Sequence, residues 1–133
     1  MPPAKTVVHY RDGRILKGFT RDFAPHRETF ELAADDSAEA QIEEIWAPDL
    51  KAVFFVRDFA GNRDRVDRKD FDPDHPVAGQ RLQVRFQDGE EMVGTAQDYD
   101  PLRKGFFFVP ADPQSNIVRC YVVVAATREI TFR

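Results

Sequence analysis

Residues 82–108 read LQVRFQDGEEMVGTAQDYDPLRKGFFF, and residues 6–32 read TVVHYRDGRILKGFTRDFAPHRETFEL. At a constant offset of 76, Val8, Asp12, Gly13, Gly18, Asp22, Pro25, Arg27 and Phe30 meet Val84, Asp88, Gly89, Gly94, Asp98, Pro101, Arg103 and Phe106. Tyr10/Phe86, Leu16/Met92 and Phe23/Tyr99 are conservative partners. Both glycines and the proline stay in register, so the chain is an internal repeat, and the repeated unit sets the scale of the fold.

Asp12-Gly13 and Asp88-Gly89 each separate two strand-like runs, and Asp-Gly reaches the positive φ values of a tight hairpin turn. Leu82, Val84 and Phe86 alternate with Gln83, Arg85 and Gln87, the period of a strand with one buried face. Gly18 and Gly94 fall inside the second strand of each hairpin, where a missing side chain predicts a bulge or bend.

Working outward, Phe30-Glu31-Leu32 and Phe106-Phe107-Phe108-Val109 supply a third strand. Gln41 to Trp46 and Val118 to Val124 supply a fourth, and Ala52 to Val56 and Glu129 to Phe132 a fifth. Hairpin, strand, loop, strand, tight helical turn and final strand is the order of an SH3-like or Sm-like barrel. The predicted fold is therefore all-β: two tandem five-stranded SH3-like or Sm-like small barrels packed together, residues 1–57 and 80–133. Residues 58–79, acidic and basic with Pro73 and Pro76, read as a charged linker or loop. Residues 37–46 carry two signals: a capping-box pattern with helix formers from Asp36 onward, and alignment with the β-prone Tyr121-Val122-Val123-Val124.

A chain of 133 residues with 12 Phe and 42% hydrophobic residues is folded rather than disordered. No apolar run approaches the ~20 residues that cross a bilayer, and Met1-Pro2-Pro3-Ala4-Lys5 lacks the apolar stretch expected of a signal peptide. The expectation is a cytoplasmic protein without membrane insertion. A net charge of −4 disfavours a broad phosphate-binding surface, and hence nucleic acid. The single cysteine, Cys120, excludes an internal disulfide and reads as a small buried or half-buried residue rather than a reactive thiol. His9, His26 and His75 lack metal-ligand spacing and read as solvent-facing. No cofactor, metal or catalytic residue is predicted.

Two constellations stand out. Asp22-Phe23-Ala24-Pro25-His26-Arg27 and Asp98-Tyr99-Asp100-Pro101-Leu102-Arg103 are either scaffold loops, in which Asp accepts backbone hydrogen bonds and pairs with Arg, or a paired site for an anion. Pro110-Ala111-Asp112-Pro113-Gln114-Ser115-Asn116 with Arg119 occurs in the second half alone and is either a rigid turn or a private contact surface. The candidate binding residues are Asp22, Arg27, Asp98, Tyr99, Arg103, Ser115, Asn116 and Arg119. Val53-Phe54-Phe55-Val56 and Phe106-Phe107-Phe108-Val109 are apolar on both alternating faces, as strands packed between two layers are, the contact between the barrels being the natural second layer; an exposed face of Phe would instead mark a partner interface.

With these residues in place, the chain resembles an uncharacterised bacterial domain family found mainly in deltaproteobacteria. The resemblance rests on Asp88-Gly89, Gly94, Asp98-Tyr99, Pro101, Arg103, Gly105-Phe106-Phe107, the 110–116 stretch and Val122-Val123-Val124. In the first half it rests on residues 50–59 with Gly61-Asn62. It implies no enzymatic activity, and a place beside PilZ-type signalling domains in bacteria that move on surfaces. The paired-Arg and Asp-x-Ser-x-x-Gly signature of a PilZ domain is absent from the sequence. The expectation is a non-catalytic adaptor for a protein partner. The alternatives are a receptor for an anionic small ligand such as a cyclic dinucleotide, with Arg27, Arg103 and Arg119 as cation donors, and, by fold analogy, an Sm-like RNA-binding protein.

Overall fold

The computed structural model describes residues 4–37, 39–60, 71, 79–96, 99–100 and 102–133. Among them are ten strands: β1 (Ala4–Tyr10), β2 (Ile15–Thr20), β3 (Thr29–Ala33), β4 (Ile42–Trp46), β5 (Leu50–Val56), β6 (Gln80–Phe86), β7 (Glu91–Ala96), β8 (Gly105–Pro110), β9 (Ile117–Val123) and β10 (Thr127–Phe132). Single 3₁₀ turns, Ala47–Asp49 and Val124–Ala126, link β4 to β5 and β9 to β10. The segment with two readings is a strand: from Ile42 onward, Leu32, Phe30 and their neighbours in β3 supply a complete antiparallel partner. The predicted linker falls mostly outside the described residues.

Hairpin geometry follows from the Asp-Gly pairs. Gly13 and Gly89 have φ of 98° and 95°, and the preceding Asp12 and Asp88 accept the backbone N–H of Arg14 and Glu90. Gly18 and Gly94 serve close approach rather than a bulge. A Cβ there would run into the carbonyl oxygen of Ala33 or Val109, where β3 and β8 meet the hairpins.

The strands form one antiparallel sheet in the order β10-β6-β7-β8-β9-β5-β1-β2-β3-β4. The expected pair of five-stranded barrels is corrected by this order. β5 pairs with β9 instead of returning to β4, so the sheet runs open from β10 to β4. Each half contributes its strands in the same sequence, fifth, first, second, third, fourth, and the two runs meet at β5 and β9.

That joint explains the uninterrupted apolar run of β5, whereas the run of β8 leaves Val109 exposed. Alternate residues of a strand face opposite sides. Ala52 and Phe54 of β5, with Cys120 and Val122 of β9, enter a core built on Leu82, Val84, Phe86 and Phe108. Val53 and Phe55, with Tyr121 and Val123, enter the other core beside Val8, Phe30, Ile45 and Leu50. Each joint strand therefore belongs to both cores, and a buried Phe contributes about 1.5–3 kcal/mol to whichever it enters.

Candidate functional site

The joint carries a buried cation. Lys51 is 7% exposed, stands in the bulge of β5 between the residues that pair with His9 and Tyr10, and reaches into the second half. Its Nζ donates to Asp88 Oδ2 and Glu90 Oε1, both at 2.7 Å, and lies 4.7 Å from the centre of the Phe86 ring. Burial alone would lower the Lys51 pKa, but the hydrogen bonds to the two carboxylates outweigh it and hold the amine above its ordinary value. The same bond, with the backbone N–H of Glu90, holds the Asp88 carboxyl below its usual range. His9 belongs to this joint and is not the solvent-facing residue its isolation in sequence suggests. Its ring packs edge-on against Phe54 at 4.7 Å, and burial, then the charge of Lys51, lowers its pKa.

In the first repeated loop, Asp22 Oδ1 accepts the backbone N–H of Glu31 and the hydroxyl of Thr20, and Arg27 Nη1 stands 3.9 Å from Asp22 Oδ2. In the second, Arg103 Nε stands 3.9 Å from Asp100 Oδ2, and the Arg103 N–H donates to the Asp100 carbonyl as that of Arg27 does to Ala24. Asp98 and Pro101 lie outside the described residues. Both arginines are thus balanced by a carboxylate of their own loop.

Between the charged ends sits an aromatic. Phe23 packs edge-on against Phe30 and Phe55 of its own half and against Phe107 and Tyr121 of the other, at 5.0–6.1 Å. Tyr99 repeats the arrangement within the second half, against Phe106 at 5.1 Å and Phe132 at 5.7 Å.

The 112–116 stretch is a clamp. Ser115 Oγ accepts the Ile117 N–H, and Asp112 Oδ1 accepts that of Gln114, closing the turn on itself. Asn116 then grips Asp58: its Oδ1 accepts the Asp58 N–H at 3.0 Å and its Nδ2 donates to the Asp58 carbonyl at 2.8 Å. The backbone N–H of Arg57 donates to the Asn116 carbonyl, and Arg57 Nε to that of Ser115. Ser115 and Asn116 thereby fix where the chain leaves β5.

Arg119 is different. It lies opposite Phe55 in the β5–β9 ladder, and its guanidinium carbon is 4.8 Å from the Phe55 ring centre and 4.6 Å from that of Phe107. Stacking a guanidinium on aromatic faces fixes its plane and leaves its edge donors directed outward. Arg119 is exposed, and among the described residues no carboxylate pairs with it. Val109, 40% exposed, follows Phe107 on the same face of β8. The result is an apolar floor carrying one oriented positive charge. Sequence reading found Arg119 but missed Phe55 and Phe107 as its platform, since their pairing depends on β5 crossing to β9. Lys51 was missed for the same reason.

Among the described residues no group of three or more His, Cys, Asp or Glu side chains is placed to hold a metal ion, and no helix is long and apolar enough to cross a membrane. No curated protein and no solved structure matches the sequence. A family model does match it, over residues 3–132, nearly the full length that the repeat and the joint organise, and the chain belongs to that family, the family of unknown function DUF6982.

Proposed function

We propose that this chain is a non-catalytic binding module whose Arg119 face recognises an acidic segment of a protein partner, with apolar side chains of that segment resting on Phe107 and Val109. The observation that carries the reading is the Arg119 guanidinium lying over the Phe55 and Phe107 rings with no carboxylate paired to it among the described residues. Such a group is preorganised to donate two parallel hydrogen bonds to a carboxylate. Arg27 and Arg103, each beside an internal acid, are supporting charges rather than primary contacts. The repeated strand order supports reading the two halves as SH3-like or Sm-like units opened and fused along β5 and β9. Signalling or surface motility in bacteria, implied by the resemblance, is the setting in which to seek the partner.

The test is an amide NMR titration of the full chain with a Glu- and Leu-containing peptide, a Lys-containing control of equal length, and cyclic dinucleotides. The expected result is shifts at Phe107, Val109 and Arg119 with the acidic peptide alone, abolished in Arg119→Ala. Shifts with cyclic dinucleotides alone would replace the protein partner by a small anion. Shifts unaffected by Arg119→Ala, or none with any of these probes, would overturn the proposal.

A further inference from the structure

The two outer strands of the sheet are the counterparts of the two strands that meet at its centre. β5 and β10 occupy equivalent places, as Leu50 opposite Tyr10 and Thr127 opposite Phe86 show, and β4 and β9 do likewise, with Ile45 opposite Phe30 and Val122 opposite Phe106. At the centre β5 pairs with β9; at the rims β10 and β4 each have, among the described residues, a strand neighbour on one side only. We propose that β10 of one copy pairs with β4 of a second copy in the register of the β5–β9 joint, so that the chain associates head to tail.

Carrying that register outward by 77 positions places Ile130 opposite Glu44, Thr131 opposite Glu43 and Phe132 opposite Ile42 of the second copy. Phe132 and Ile42 are 55% and 61% exposed, large apolar side chains on opposite rims of one sheet that this register brings into contact. The aromatic contacts extend in the same way. Phe23 meets Phe107 and Tyr121 across the central joint, while its counterpart Tyr99 meets only its own half among the described residues. The counterparts of Phe107 and Tyr121 are Glu31 and Glu44. A phenol stands where Phe23 did, and carboxylates able to accept its hydrogen bond stand where the rings did.

Charge also repeats correctly. Across the central joint Lys104 Nζ lies 3.3 Å from Glu28 Oε1, and these are equivalent positions of the two halves. Head-to-tail addition sets the Lys104 of one copy beside the Glu28 of the next, so every joint keeps opposite charges. Pairing β4 with another β4 would instead set Glu43 and Glu44 against the same residues of its twin. The interface is heterologous, and successive copies close into a ring or continue as a filament according to the rotation at each step. Its polar pairs make it reversible where the apolar central joint is permanent.

Sedimentation velocity over a concentration series tests this with two variants at exposed positions, Phe132→Asp and Ile42→Asp. Wild type is expected to grow past dimer with concentration and each variant to remain monomeric. An equimolar mixture is expected to stop at dimer, because one β10 and one β4 rim remain intact. Amide hydrogen exchange of wild type gives a second readout, with protection at Ile130 to Phe132 and Ile42 to Ile45 rising with concentration. A wild type that stays monomeric without such protection, variants that associate as wild type does, or a mixture that stays monomeric would each overturn the proposal.

Discussion

Lys51, on the first half, and Asp88, on the second, form a charge-assisted hydrogen bond of 2.7 Å at the centre of the molecule. The lysine is buried while the carboxylates of Asp88 and Glu90 are half-exposed, so removing the amine leaves both acids able to recover water. Lys51→Ala should therefore cost about 2 kcal/mol, combining the lost bonds with lost packing on Phe86. Lys51→Met, which keeps the volume, should cost less than about 1 kcal/mol. Because Asp88 has a depressed pKa when folded, its contribution is complete above the ordinary carboxylate range and is lost as pH falls from that range through the lower folded-state value. Urea titrations in mildly to strongly acidic buffers should show a shallower decline for Lys51→Met than for wild type. Parallel declines would show that the ion pair contributes nothing to acid sensitivity.

His9 gives the joint a second pH dependence, nearer neutrality. Its pKa is lowered from 6.5 by burial and by Lys51, so on acidification the unfolded chain takes up this proton first. Stability is full above 6.5 and falls as pH drops toward the folded-state value. The His9→Gln variant should lack that component, and the imidazole NMR titration of wild type should have its midpoint below 6.5. A midpoint above it would contradict the placement of His9 against Phe54.

The two kinds of glycine should separate in denaturation experiments. At Gly94 a Cβ meets the Val109 carbonyl and the Phe108 ring, so Gly94→Ala must push β8 away and should cost about 3 kcal/mol. At Gly89 there is space, and only the positive φ resists a side chain, so Gly89→Ala should cost about 1 kcal/mol. Equal costs would mean that close approach is not what Gly94 provides.

Much of this was legible in the sequence because it is local. The Asp-Gly turns, the alternation of β6, the strand at Phe106 and the tight turns before β5 and β10 each depend on a few neighbouring residues, and the repeat fixed their equivalence. What sequence did not disclose is which half β5 completes. Phe54 and Phe55 read as buried on both faces, but the same pattern suits a strand closing its own barrel or one shared between two cores. The choice is made by long-range contacts, Ala52 with Val122 and Lys51 with Asp88, that leave no local signature. The candidate site was half-visible for the same reason: Arg27 and Arg103 stood out through repetition, whereas Arg119 gains its meaning from Phe55, far away in sequence.

The joint between β5 and β9 underlies the shared cores, the Arg119 face and the rims, and the register offers a direct test. Phe54 lies opposite Cys120, the only cysteine, with both side chains entering the same core. A Phe54→Cys variant should form a disulfide with Cys120 on mild oxidation, blocking both thiols to alkylation in the monomeric protein. Phe55→Cys, one residue along and facing the other core, should not. Cross-linking of Phe54→Cys alone is the result the joint requires; free thiols in both variants, or equal cross-linking in both, would contradict it.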